Sequence, residues 1–210
     1  MKHSHQMTVS CAVCKAISMQ DVLIINDHKD YFDTVMGFLP LARNKLLYQI
    51  HECPVCRYCA PNLTRAGNDA KNIVNSEYYL QIAHNERIPA LIRRYLQYSY
   101  CVEMQNEDKN AFFGYLTTSW VCDDIKEGVL GKHCRKKAID YLKKCKENGD
   151  QIWKDPGFYE LMLADLHRRV AEFEEAEITI QSGLVKVLDP ILKASLEFTA
   201  LRIHRWDTLP

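Results

Sequence analysis

Cys53-Pro-Val-Cys56-Arg-Tyr-Cys59-Ala60 is the stretch on which the reading of this chain turns. A two-residue spacer lets a C-x2-C unit fold into a tight knuckle, with both sulfurs on one side of the turn and backbone N–H groups pointing at the thiolates. Upstream, Cys11-Ala-Val-Cys14 repeats the unit. Two such knuckles facing each other build a tetrahedral cage of four sulfurs, the closed geometry of structural zinc. The spacing therefore predicts zinc held by Cys11, Cys14, Cys53 and Cys56. The intervening segment is long for a minimal ribbon and is expected to form strands or a loop of its own. Asp21-Val-Leu-Ile-Ile25 and Leu46-Leu-Tyr-Gln-Ile50 are its strand-like runs.

Cys56-Arg-Tyr-Cys59 is also C-x2-C, so 56/59 is an alternative second pair. Pro54 and the symmetry with the first knuckle favour 53/56. His51 is a spare ligand by position. A ferredoxin-type cluster would need a fourth cysteine near position 63, where Leu63 stands with no proline after it. Lys15 and Arg57 follow the second cysteine of each knuckle, where their charge can offset the formal minus two of a zinc–tetrathiolate centre. Many knuckles carry glycine there because it tolerates positive φ, so lysine and arginine imply a different turn or strain.

The bulk numbers set the frame. The chain has 210 residues, 47% apolar, which suffices for a proper core. Its 27 basic and 27 acidic residues cancel, which argues against a protein whose main task is to coat nucleic acid. Nine cysteines, an odd number with five in C-x2-C spacings, fit metal in a reducing compartment better than a secreted disulfide framework. No apolar signal region follows the N-terminal residues, and runs such as Val22 to Ile25 fall far short of the ~20 residues of a membrane span. A cytoplasmic location without a membrane partner is expected.

Composition shifts near residues 60–70, from cysteine pairs and β-like runs to helical periodicity. It divides the chain into a zinc-knuckle module, 1–65, and a helical domain, 66–210. From Pro89, Leu91, Ile92, Tyr95, Leu96, Tyr98 and Val102 form an amphipathic stripe. A second helix should carry Phe112, Tyr115, Leu116, Ser119 and Trp120. A third runs from about Lys132 to Asn148, with Cys134, Ala138, Tyr141, Leu142 and Cys145, and stops at Gly149. Asp155-Pro156 and Asp189-Pro190 both read as an N-cap followed by proline at the first helical position. Six or seven helices are expected after Pro61. Small residues at Ala164, Ala176 and Gly183, with bulky ones between, match a tetratricopeptide helix pair, and Ser99, Ala111, Tyr115 and Thr118 make a weaker copy. The predicted fold is mainly α, a small zinc-knuckle β module followed by an antiparallel tetratricopeptide-like bundle.

The stretch from Cys53 to Ala60 resembles an uncharacterised bacterial family in which a C-x2-C pair near the N-terminus precedes a CPxCGYA element and tetratricopeptide-like helices. Ala164-Asp-Leu-His-Arg168-Arg169-Val-Ala-Glu-Phe173-Glu-Glu-Ala176 is similar to its helical signature, paired arginines followed by a turn and an aromatic-x-x-Ala. Arg57 and Cys59 stand where that pattern has glycine and alanine. The resemblance implies zinc binding and a helical-repeat platform, and no particular activity.

No phosphate-cradling glycine loop, G-x-S-x-G elbow or H-E-x-x-H helix is present, and a cage of four thiolates has no open position for water. The sequence therefore reads as a non-enzymatic zinc protein whose helices serve a protein partner. The alternative is a nucleic-acid-binding or regulatory protein using the zinc module and the basic helix around residues 132–146, with Lys132, His133, Arg135, Lys136, Lys137, Lys143, Lys144 and Lys146. A redox sensor is a third reading. Cys101, Cys122, Cys134 and Cys145 sit singly on predicted helices as small core residues.

Overall fold

The computed structural model describes residues 4–23 and 44–210. The fold is mainly α with a small N-terminal β module, as the cysteine turns and the later periodicity require. Two compact units, Met1–Glu107 and Asp108–Pro210, make up the chain.

In the first unit β1 (Ser4–Ser10) and β2 (Ile17–Leu23) pair antiparallel, from Ser4 opposite Leu23 to Ser10 opposite Ile17. The short β3 (His51–Glu52) and β4 (Cys59–Ala60) pair in the same sense, His51 opposite Ala60 and Glu52 opposite Cys59. The strand-like run at Asp21 is the end of β2, while Ile24 and Ile25 lie outside the described residues. The second run is not a strand. Asn44–Tyr48 is a 3-10 turn, in which Leu46 is buried and Leu47 is exposed, and Ile50 just after it is buried. Tyr95 Oη and the Arg94 guanidinium take up the carbonyls of Leu46 and Ile50, and these distant partners override the β-like composition.

Helices α1 (Ala70–Val74), α2 (Glu77–His84) and α3 (Ala90–Met104) complete this unit. Ser76 caps α2 by accepting from Tyr79 N–H, and Pro89 stands at the N-cap of α3. The three helices share one core with the cysteine turns: Cys11, Cys53, Tyr58, Leu63, Ile73 and Tyr79 pack together. The compact unit that holds the cysteines thus runs past the composition break.

The second unit comprises α4 (Asp108–Ile125), α5 (Gly128–Glu147), α6 (Phe158–Arg169), α7 (Phe173–Lys186) and α8 (Pro190–His204). With α1, α2 and α3, this makes eight α-helices among the described residues, one more than the upper expectation. α4 packs along α5, α6 against α7, and α8 against both α6 and α7. Phe112, Tyr115, Leu116, Ser119 and Trp120 are all buried as the stripe on α4 requires. Gly149 ends α5 at φ 79°, donating to Lys146 while Asp150 donates to Cys145, a left-handed stop with paired terminal carbonyls. Asp189 caps α8 through Leu192 N–H at 2.8 Å, with Pro190 at the first position. Asp155-Pro156 behaves differently. Asp155 O accepts from Phe158 N at 3.2 Å to close a separate turn, Gly157 follows at φ 93°, and α6 begins only at Phe158.

Of the small residues singled out in the sequence, Gly183 lies where three helices meet. Ala164 and Ala176 are fully buried. A Cβ on Gly183 would stand 2.8 Å from Leu196 Cδ2 and 2.9 Å from Glu160 Cβ, so α7 approaches α6 and α8 closely only because Gly183 has none. Gly183→Ala is expected to cost about 1–3 kcal/mol by overpacking, seen as a lower urea midpoint at unchanged slope. The weaker copy straddles the two units, with Ser99 in the first and the other three residues in the second.

The paired arginines form a buried network in the second unit. Arg168, fully buried, contacts Asp165 at 2.6 Å and donates to the carbonyls of Asp207 and Leu209, tying down the C-terminal residues. Arg169 bridges Asp165 at 2.8 Å and Asp123 at 3.4 Å, and Arg135 also pairs with Asp123.

Candidate metal centre

The two knuckles fold alike. Cys11 N–H donates to Ala16 O at 2.9 Å and Lys15 N–H to Cys11 O at 2.8 Å; Cys53 N–H donates to Tyr58 O and Arg57 N–H to Cys53 O, each at 2.9 Å. Each turn joins two antiparallel strands. Lys15 (φ 64°) and Arg57 (φ 65°) occupy the same left-handed position, the strained one of the two options the sequence leaves open. Ala12 N–H donates to Leu63 O at 2.7 Å, and Gln20 Nε2 to Glu52 O at 3.2 Å, joining the two hairpins.

This pairing brings together the four predicted cysteines. Their sulfurs all lie within 4.8 Å of one another, a group that can hold a metal ion. The closest approaches cross between the knuckles: Cys11 Sγ to Cys56 Sγ at 3.7 Å and Cys14 Sγ to Cys53 Sγ at 3.6 Å. All four are free thiols. Burial pushes the Cys11 and Cys56 thiols upward. Burial acts the same way on Cys14, but the Ala16 N–H and the neighbouring thiols outweigh it and bring that thiol down to about 7. A cation sharing the cage favours loss of the thiol protons.

The alternative ligands lie elsewhere. Neither Cys59 nor His51 belongs to the group of four. His51 sits in β3, where burial and Arg94 lower its pKa against the opposing pull of Asp21. Cys59 is fully buried, and burial followed by Glu52 holds its thiol far above the ordinary range. It donates instead to the carbonyl of Arg57 at 3.4 Å. Tyr79 Oη and Gln97 Nε2 reach the same carbonyl at 2.8 and 2.9 Å. Three donors from β4, α2 and α3 thus hold the one residue of the second knuckle that is in the left-handed region. Tyr79 and Gln97 escaped the sequence reading. Their one signal is that Gln97 interrupts the apolar stripe of α3 between Leu96 and Tyr98 and is nonetheless fully buried.

The charged side chains after each knuckle are engaged locally. Lys15 Nζ donates to Ala12 O of its own turn at 3.0 Å. Arg57 pairs with Glu52 at 2.7 Å and donates to Ala83 O at 3.3 Å. On the basic helix α5, Arg135 is buried against Asp123, while Lys136, Lys144 and Lys146 lie 3.2, 2.6 and 3.9 Å from Glu172, Asp108 and Glu160. Lys137 lies over the Tyr115 ring at 5.7 Å. Cys101, Cys122, Cys134 and Cys145 are buried, as core cysteines should be.

No helix among the described residues is long and apolar enough to cross a membrane. Comparison with known proteins gives no match to a protein-family model, a curated protein or a solved structure.

Proposed function

We propose that this chain is a non-enzymatic zinc protein, in which Cys11, Cys14, Cys53 and Cys56 hold one structural zinc and the tetratricopeptide-like helices serve a protein partner. The observation that carries the reading is the spacing of the sulfurs across the two knuckles. Thiolates about 2.3 Å from a shared tetrahedral centre stand about 3.8 Å apart, and the cross-knuckle pairs stand at 3.7 and 3.6 Å. A disulfide would need about 2.05 Å. All-sulfur ligation favours zinc over hard cations. Four thiolates close the shell, so when bound the ion supplies folding energy and no site for water.

The partner reading draws on the second unit. Ile191, Phe198 and Leu201 are exposed on α8, while Leu192, Leu196 and Ile203 on the same helix are buried, so α8 is apolar on both sides. A helix of that kind is ordinarily covered on both.

Elemental analysis of the purified protein tests the core of the proposal: one zinc per chain is expected, and a chain that folds without metal would refute it. The clamp on Arg57 gives a finer test. Gln97→Leu and Tyr79→Phe each remove one of the three donors, and supports of this kind are commonly worth 10–100-fold in metal affinity. Competition with a chromophoric chelator should show zinc affinity about 10-fold or more weaker in either variant. For the partner, a Phe198→Asp, Leu201→Asp double variant should keep the wild-type melting temperature yet lose the protein that the wild type retains in its native extract.

A further inference from the structure

A polar cleft of about 530 Å³ opens beside the first knuckle, and nothing in the zinc reading uses it. Three cations line it, Lys15, Arg65 and Lys71, together with Thr64, Gly67 and Asn68. No carboxylate lines it; Asp69, next in sequence to Asn68, is not part of the wall. The knuckle itself contributes Ala12 and Val13 as well as Lys15.

The walls are held by their own bonds. Asn62 Oδ1 accepts from Thr64 N at 2.9 Å and Thr64 Oγ1 at 2.7 Å, Arg65 N donates to Asn62 O at 3.2 Å, and Tyr58 Oη donates to Arg65 O at 3.0 Å. The bond from Ala12 N–H to Leu63 O pins this loop to the knuckle. The backbone around Arg65 is thereby fixed, while among the described residues the side chains of Arg65 and Lys71 pair with no carboxylate. A preformed, donor-rich concavity with a guanidinium and two ammonium groups recognises phosphate, the guanidinium by paired N–H bonds and the ammoniums as point charges. The volume lies within the range of small-ligand sites. No aromatic ring lines the cleft, so it has no platform on which a base would stack.

We infer that this cleft binds the phosphate groups of a phosphorylated ligand, through Lys15, Arg65 and Lys71. Lys15 Nζ is held on Ala12 O at 3.0 Å, at the knuckle side of the cleft, and Arg65 and Lys71 line the same cleft. The chemistry is shared by a free phosphorylated metabolite and by the backbone of a single-stranded nucleic acid.

The test uses the full-length, zinc-replete protein, labelled with nitrogen-15 and titrated separately with inorganic phosphate and with a short oligodeoxythymidine. Saturable shifts at the amides of Gly67, Asn68 and Lys71 are expected. Lys71→Glu and Arg65→Glu should weaken binding about ten-fold or more with zinc content unchanged. Saturation by phosphate alone would mark a free metabolite. Tighter binding of the oligonucleotide, with a log–log salt slope of about −2 for three neutralised phosphates, would mark a nucleic-acid strand. Variants that keep their zinc but bind as wild type would overturn the inference and leave the metal reading standing. So would the absence of a saturable shift with either probe.

Discussion

Cys56→Ser protein is expected to emerge from purification without zinc, poorly soluble, and with its first unit unfolded. The reason lies in how little else holds that unit's front end. Its sheets are two-stranded ribbons, and ribbons of that size are marginal by themselves. The apolar cluster beneath them includes Cys11 and Cys53 of the four-cysteine group, so that group is part of the core and not attached to it. Structural zinc in small modules contributes on the order of 10–16 kcal/mol of apparent free energy, as large as the whole stability of an ordinary domain. Serine offers no thiolate, and the left-handed turn at Arg57 adds strain that the ion no longer offsets. Cys14→Ser should behave alike. Elemental analysis together with amide dispersion for residues 4–23 and 44–107 reads the outcome. Equal zinc content and unchanged solubility in either variant would contradict the assignment.

Arg168→Ala should be the most damaging substitution in the second unit. The side chain is fully buried, paired with Asp165 at 2.6 Å and bonded to the carbonyls of Asp207 and Leu209. Truncation leaves the half-buried Asp165 carboxylate to Arg169 and the more distant Arg202, and leaves the Asp207 carbonyl without its donor, while Leu209 O keeps Arg202 at 2.6 Å. Breaking such a pair from one side costs about 3–5 kcal/mol. For a unit of about a hundred residues that is a fall in melting temperature of roughly 15 °C or more. pH dependence supplies a second readout. Burial raises the Asp165 carboxyl, but Arg169 and Arg168 outweigh it and hold it below the ordinary carboxylate range. A carboxyl depressed in the folded state contributes stability above its unfolded value of about 4, and that contribution fades as pH falls through the folded value. In Arg168→Ala part of this depression disappears, so acid unfolding should begin at higher pH than in wild type. Equal midpoints by heat and by acid would sink the argument.

Local chemistry made part of this molecule readable from its sequence. The two C-x2-C units specify their turns through spacing alone, and Asp189-Pro190 and Gly149 act on the backbone within a few residues of themselves. The stripes on α3 and α4 needed only a periodicity. The misreadings share the opposite property. Leu46–Ile50 has β-like composition, yet Tyr95 Oη donates to Leu46 O and Arg94 to Ile50 O, partners far along the chain that hold a 3-10 turn instead. Asp155-Pro156 carries a start signal whose helix is delayed by the left-handed Gly157. Arg168-Arg169 was visible as a motif, but its meaning resides in Asp123, Asp165 and the C-terminal carbonyls. Cys59 looked like a spare ligand because nothing local distinguishes a thiol that binds metal from one that supports a carbonyl.

The convergence of Cys59, Tyr79 and Gln97 on a single peptide oxygen also bears on what happens when the cage is attacked. An oxidant or chelator that opens the second turn moves that oxygen, and the joint that ties α2 and α3 to the turn comes apart with it. Loss of the ion would thus be felt on the helices as slackening, with faster amide exchange along α2 and α3, making metal occupancy a keystone for surfaces that never touch it.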